Sequence, residues 1–129
     1  DCDLAIIDKR REKAGISEVM NVIGEVKNKN CLLVDDICDT AGTLTNAASA
    51  LKKNGAKSIF SYITHGVLSK PAIERIEASK IDKIIITDSI LATDEVKQSQ
   101  KIEQLSIASL IGEAIGRITE NKSVSSLFA

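Results

Sequence analysis

Aromatic residues and net charge are both scarce in this chain of 129 residues. It has no tryptophan, only 2% aromatic residues and a formal net charge of −1. The charge gives no electrostatic case for a nucleic-acid partner, and few rings are present on which single-stranded bases could stack. No run approaches the roughly 18 apolar residues of a membrane span, and the first residues show no secretory signal pattern. A nucleic-acid-binding module and a membrane protein are therefore both disfavoured.

Cysteine is also sparse. Cys2, Cys31 and Cys38 are odd in number and irregularly spaced, so they predict neither a disulfide framework nor a metal cluster. A reducing, cytoplasmic location is expected. The remaining composition, 43% hydrophobic and 27% charged, is ordinary for a globular domain. The chain enters the apolar run LAII within its first few residues, and we expect residues 1–129 to be one domain cut from a longer chain.

Short apolar runs predict strands at residues 59–63, at 84–87 and, as a buried strand, at 4–7. The basic stretch KRREKAG that follows residue 8 lacks apolar periodicity and predicts a loop. Residues 19–26 are rich in β-branched side chains, and the polar KNKN after them predicts a turn into CLLVDD. These two runs could pair as a hairpin.

Helical spacing of apolar residues completes the pattern. Positions i, i+3, i+4 and i+7 are apolar over residues 44–51, and Asn54-Gly55 provides a stop signal. A second helix is predicted from Pro71, and the clearest amphipathic pattern covers residues 107–118. Alternating strands and helices predict an α/β domain with a mainly parallel central sheet flanked by helices.

An acidic loop, CLLVDDICDTAGTL at residues 31–44, is the strongest functional signal. Asp35 and Asp36 end a predicted strand, where ligands bind in open α/β sheets. Residues 40–43 precede a helix, whose free N–H groups and dipole favour an anion. Carboxylates accept hydrogen bonds from hydroxyls, so a sugar phosphate would satisfy both ends. The structural alternative is a helix N-terminus with chance acids before it.

The segment VDDICDTAGT resembles the ribose-phosphate motif of the phosphoribosyltransferase fold. With DLAIIDKRR, SEVMNVIG, THGVLSKPAIERI and SVSSLF, the whole chain resembles the ribose-phosphate pyrophosphokinase family. The resemblance implies the C-terminal, phosphoribosyltransferase-like domain of a two-domain chain, lacking its first strand and helix. It also implies that the acids hold the ribose hydroxyls and that the loop holds the 5-phosphate. The implied ribose 5-phosphate residues are Arg11, Asp35, Asp36, Asp39, Thr40, Ala41, Gly42 and Thr43.

The basic loop gains a role from the same resemblance. The family transfers the diphosphoryl group of ATP to the anomeric hydroxyl of ribose 5-phosphate and releases AMP. Cations that close over the nucleotide would stabilise the transferred charge. The resemblance matches Lys9 and Arg11 to the catalytic lysine and arginine of the family, with Arg10 auxiliary. Taken alone, such a charge run is more often a solvated surface.

Cofactor and partners also follow from the resemblance. It implies Mg²⁺, whose direct protein ligands lie in parts of the family protein outside this chain, as does most of the ATP site. The chain alone should be inactive. The family forms homo-oligomers, usually dimers that assemble into hexamers. Its tail approaches a regulatory ADP or phosphate site, which would involve Ser123, Ser125 and Phe128; the plain alternative is a frayed terminus.

Two other functions stay open at this point. A catalytically silent regulatory paralogue has no need to keep the acidic and basic residues, and a phosphoribosyltransferase would not explain DKRR or SVSSLF. His65 is the only histidine, and we expect it to be a structural turn residue at the same sheet edge as the acids. Gly66 and Lys70 stand where the family usually has Pro and Gly.

Overall fold

The computed structural model describes residues 2–10 and 19–128, which form two sheets. Two strands make an antiparallel ribbon, namely β1 (Ile6–Arg10) and β2 (Val19–Ile23). Four strands form a sheet that is parallel throughout, in the order β3 (Asn30–Cys38), β4 (Ser58–Gly66), β5 (Lys83–Thr87) and β6 (Ile102–Leu105). The predicted α/β class with a mainly parallel sheet is confirmed, as are the strands at 59–63 and 84–87.

Helices connect the parallel strands and follow the last one. They are α1 (Gly42–Lys53), α2 (Ala72–Ala78), α3 (Asp94–Gln98) and α4 (Ala108–Thr119), with a short 3₁₀ turn at Ser125–Leu127. The three predicted helices are confirmed, although α2 begins one residue after Pro71. None of the described helices has both the length and the apolar character needed to span a bilayer.

The hydrophobic core lies between one face of the parallel sheet and the helices α1 and α2. Ile59 and Ile84 of the sheet are completely buried, as is Ile76 of α2, and Leu51 of α1 packs into the same cluster. Ser61 is also completely buried, and its hydroxyl donates to the carbonyl oxygen of Leu33 at 3.2 Å. The apolar stripe predicted from the spacing of residues 44–51 therefore faces the core.

The opposite face of the sheet is exposed in the described part of the chain. Val34 is 74% exposed and Tyr62 49% exposed, and they are register partners on neighbouring strands. Helix α4 likewise has no buried residue. It is tied to the sheet by Asp88, whose carboxylate accepts hydrogen bonds from the Ile107 N–H at 2.9 Å and from the Ser106 hydroxyl. These bonds hold the pKa of Asp88 below its ordinary value.

Three expectations about the first third of the chain were wrong. The run 19–26 does not pair with β3. Instead β2 pairs with β1, because the turn at Asn28 leads the chain to the end of α1, where the Asn28 N–H donates to the Gly55 carbonyl oxygen at 2.8 Å. The strand expected at 4–7 begins at Ile6. It is not buried, because it belongs to a two-stranded ribbon and not to the central sheet. Backbone predicted as loop at Lys9 and Arg10 belongs to β1.

Two short elements were missed. Helix α3 has five residues and β6 has four, too few for a hydrophobic period to be recognised. A local signal for α3 was present, because the Thr93 side chain accepts a hydrogen bond from the Val96 N–H at 3.3 Å and two acids occupy the first turn. Such a cap, followed by acids, is typical of a helix start.

Candidate functional site

The two adjacent acids lie near the carboxyl end of β3, as predicted. Asp35 is the register partner of Ile63 on β4, and both carboxylates are exposed. The Asp36 N–H donates to the Asp35 carboxylate at 3.0 Å, which orients that carboxylate. Because alternate residues of a strand point to opposite faces, the two acids lie on opposite faces of β3.

The loop after β3 ends in a left-handed residue at the start of α1. Ala41 has φ 58° and ψ 6°, a conformation that costs a non-glycine residue about 1–2 kcal/mol. Its side chain makes no capping bond, and the first turn of α1 has no acid. The first N–H groups of α1 therefore have no side-chain cap from Ala41, and together with the helix dipole they favour an anion.

Asp35 and the loop share one cavity. It has a volume of about 260 Å³ and is open to solvent. The lining residues are Asp35, Ile37, Cys38, Asp39, Thr40, Ala41, Gly42, Thr43, Leu44 and Ile63. Seven of the eight residues predicted for ribose phosphate are on β3, in the following loop or in the first turn of α1, and six of these seven line the cavity; Asp36 does not. The eighth, Arg11, lies outside the described residues.

A cysteine forms part of the cavity wall. Cys38 is 4% exposed. Burial raises the pKa of its thiol, and the nearby charges of Asp35 and Asp39 act in the same direction, while the Ala41 N–H opposes them. The thiol is thus kept in its neutral form, which is the poor nucleophile of the pair. Cys38 is therefore a packing residue of this wall.

One contact to the loop was not predicted. Arg75, on α2, donates from Nη1 to the carbonyl oxygen of Thr40 at 3.0 Å. The same nitrogen would lie 3.5 Å from a Cβ placed on Gly42. The two partners are separated by 35 residues in the sequence, and nothing in the local pattern around Arg75 indicates such a long-range contact.

His65 lies at the same sheet edge as the acids, as expected, since its register partner is Ile37. Its Nδ1 is 2.8 Å from the Ser89 hydroxyl, which donates to the Thr64 carbonyl oxygen at 3.1 Å. The hydroxyl has only one proton, so Nδ1 is the donor to Ser89 in this arrangement. The pair joins the ends of β4 and β5, which fits the structural role predicted for the histidine.

Gly66, at the end of β4, packs against Ile86. A Cβ at Gly66 would lie 2.9 Å from Ile86 Cδ1 and 3.1 Å from Cγ2, and Ile86 is 2% exposed. We expect Gly66→Ala to lower the free energy of unfolding by about 1–3 kcal/mol, because a well-packed core does not absorb an added methyl group. Urea denaturation measures the change.

A matched control for Gly66→Ala is Gly116→Ala in α4, where an added Cβ would meet nothing within 4 Å. That change should be neutral or stabilising by about 0.5–1 kcal/mol, the helix-propensity gain of alanine over glycine. Equal unfolding free energies for Gly66→Ala and the unsubstituted protein would show that Ile86 can move aside.

The tail residues predicted for a regulatory site are close to one another. The hydroxyls of Ser123 and Ser125 are 2.7 Å apart, and Phe128 is 81% exposed. Arg117 of α4 donates from Nη1 to the Ser123 carbonyl oxygen at 3.1 Å and pairs with Glu113 at 2.7 Å. The tail is therefore held against α4 by a guanidinium group.

The structure describes the backbone of one of the two predicted catalytic residues. The backbone of Lys9 lies in β1, opposite Met20 of β2, and Arg11 lies outside the described residues. Across residues 2–10 and 19–128, no group of three or more His, Cys, Asp or Glu side chains is placed to hold a metal ion.

Comparison with known families connects this geometry to one group of proteins. The family model described as "Phosphoribosyl synthetase-associated domain" matches residues 8–129. The chain is 61% identical over 126 residues to a ribose-phosphate pyrophosphokinase of Granulibacter bethesdensis, covering 98% of this chain and 41% of that protein. A ribose-phosphate pyrophosphokinase of Bordetella pertussis is 55% identical over 129 residues, covering 100% of this chain and 42% of the relative.

A solved structure shares the fold. The crystal structure of phosphoribosylpyrophosphate synthetase from Mycobacterium smegmatis superposes with a TM-score of 0.80 at 38% identity. The match covers 91% of this chain and 37% of the other. The chain thus spans about two-fifths of the length of the proteins that it resembles.

Proposed function

Because this chain belongs to the phosphoribosyl synthetase-associated family, which its residues 8–129 match, we propose that it is the C-terminal part of a ribose-phosphate pyrophosphokinase. The full-length protein transfers the diphosphoryl group of ATP to the anomeric hydroxyl of ribose 5-phosphate, for nucleotide biosynthesis. This part has the phosphoribosyltransferase-like fold without its first strand and helix, binds the ribose phosphate and contributes the catalytic cations. The relatives at 61% and 55% identity support the proposal, since both are ribose-phosphate pyrophosphokinases.

The cavity at the end of β3 is the observation that carries this proposal. It joins the Asp35 carboxylate to the uncapped N-terminus of α1 within one space of about 260 Å³. Asp35 accepts hydrogen bonds from ribose hydroxyls, with Asp36 reaching them from the other side of the strand. The N–H groups and hydroxyls of residues 40–43 hold the 5-phosphate. A ligand with only one of these two groups would leave half of the cavity unmatched.

In the proposed reaction the anomeric oxygen attacks the β-phosphorus of ATP. The bond between that phosphorus and the oxygen bridging to the α-phosphorus breaks, AMP leaves, and the anomeric proton passes to solvent. Lys9 places a point charge at the transferred group, and Arg11 offers a planar fork to its oxygens and to the ribose phosphate. Both groups stabilise charge that develops in the transition state.

The remaining partners belong to the same proposal. Mg²⁺ accompanies ATP and neutralises polyphosphate charge, with its protein ligands outside this chain. Ser123, Ser125 and Phe128, near Arg117, contribute to a regulatory site for ADP or phosphate. The full-length protein acts in the cytoplasm as a homo-oligomer, built of dimers that assemble into a hexamer.

A ³¹P NMR assay of the full-length protein with ATP, Mg²⁺ and ribose 5-phosphate tests the function. We expect AMP and 5-phosphoribosyl 1-pyrophosphate to appear in equal amounts, and no product from residues 1–129 alone. Formation of ADP would show transfer of a single phosphoryl group and refute the proposal. A phosphoribosyltransferase would instead consume 5-phosphoribosyl 1-pyrophosphate with a base, and a silent paralogue would make no product by itself.

A further inference from the structure

We propose that Arg75 is a positioning residue for the phosphate loop, and that it makes ligand binding depend on the phosphate group. The inference rests on the proposed function, and it adds a residue from α2 to a site built from β3 and α1. Its starting point is the hydrogen bond of 3.0 Å from Arg75 Nη1 to the Thr40 carbonyl oxygen.

The Thr40 carbonyl oxygen, which accepts the hydrogen bond from Arg75, is an atom that would repel a bound anion. A backbone carbonyl oxygen carries partial negative charge, so a carbonyl turned into a phosphate loop repels the ligand. Because Arg75 binds the Thr40 oxygen from α2, this oxygen is held toward the guanidinium and does not turn into the loop. Removing the guanidinium leaves this oxygen free to rotate toward the anion.

The loop also needs support from outside its own residues. Ala41 adopts the left-handed conformation at φ 58°, which only the surrounding structure can enforce in a non-glycine residue. The peptide that precedes Ala41 is the one whose oxygen Arg75 holds. The long-range bond from α2 therefore fixes the loop at its strained point.

The charge of Arg75 is also available to the ligand. Arg75 is exposed and, among the residues that the structure describes, forms no ion pair with a carboxylate. Its Nη1 lies close to Gly42, the first residue of α1, as the 3.5 Å approach to a Cβ placed there shows. The guanidinium thus adds a full positive charge to the partial charge of the helix N-terminus.

Calorimetric titration of the full-length protein with ribose 5-phosphate and with ribose, each without ATP, tests this role. We expect Arg75→Ala to raise the Kd for ribose 5-phosphate at least 10-fold and up to about 150-fold, the range for a lost hydrogen bond to a charged group. The Kd for ribose should change less than twofold, because ribose has no phosphate. In the assay, KM for ribose 5-phosphate should rise while kcat stays within twofold.

Two variants complete the design. Arg75→Lys keeps the charge and should restore the Kd to within about threefold of the original value. Lys80→Ala removes one exposed positive charge just beyond the other end of α2 and should leave both Kd values unchanged.

Equal binding of ribose 5-phosphate by Arg75→Ala and the original protein would overturn the inference alone. So would an equal loss for ribose and ribose 5-phosphate. An original protein that binds no ribose 5-phosphate would overturn the proposed function itself, and the inference with it.

Discussion

Lys9→Ala in the full-length protein is expected to lower kcat at least 100-fold while the Kd for ribose 5-phosphate changes less than threefold. The lysine follows the first apolar strand in the DKRR segment, and its backbone lies in β1. In the proposed reaction its ammonium group stabilises charge on the transferred diphosphoryl group, and removal of one such donor costs about 100- to 1,000-fold in turnover. The cavity proposed for ribose 5-phosphate lies at the end of β3 and does not include Lys9 in its lining.

Steady-state kinetics and direct titration together check this prediction. Lys53→Ala, at the end of α1, is the control because it removes one exposed positive charge from the same domain. It should leave kcat and Kd unchanged. Turnover near the original value in Lys9→Ala would end the catalytic assignment. A parallel loss of turnover and ribose 5-phosphate affinity would instead make Lys9 a substrate-binding residue.

Features encoded by neighbouring residues could be predicted from the sequence. Helix α1 was found because its apolar positions repeat at helical spacing over two turns, and its stop signal follows directly. The positions of the acids and of the loop could be predicted for the same reason, since they are contiguous with one strand and one helix start. Asp36 lies outside the cavity lining, because strand alternation turns it to the opposite face of β3.

Features that depend on distant contacts were missed. The partner of β2 could not be read from β-branched composition, because any of several apolar runs could pair with it, and the turn at Asn28 decides the outcome. The contact from Arg75 to Thr40 joins two elements across 35 residues. Helix α4 was predicted from its period, but its apolar face is exposed, with Ile115 at 59%. Amphipathicity identifies a helix and does not identify the surface that covers it.

The acid pair provides the second large effect. Asp35→Asn combined with Asp36→Asn should raise the Kd of the full-length protein for ribose 5-phosphate at least 100-fold. An ionised carboxylate only accepts hydrogen bonds, whereas an amide offers one accepting oxygen and two donor hydrogens to hydroxyls that also donate. Each hydrogen bond to a charged group contributes about 1.5–3 kcal/mol, so two lost bonds give this factor. Asp35 lines the cavity and Asp36 does not, so Asp35→Asn alone should account for more of the loss.

Calorimetry with ribose 5-phosphate and with 2-deoxyribose 5-phosphate distinguishes the loss of hydrogen bonds to the ribose hydroxyls from a change in the structure of the site. The deoxy sugar lacks one of the hydroxyls assigned to the acids, so it should bind the original protein less tightly and be less sensitive to the double substitution. Asp94→Asn, an exposed acid in the first turn of α3, is the matched control and should change neither Kd. Equal losses for the two sugars would mean that the acids act by shaping the loop. An unchanged Kd for ribose 5-phosphate would show that the two acids do not bind the ribose hydroxyls. The cavity would then bind only the phosphate group.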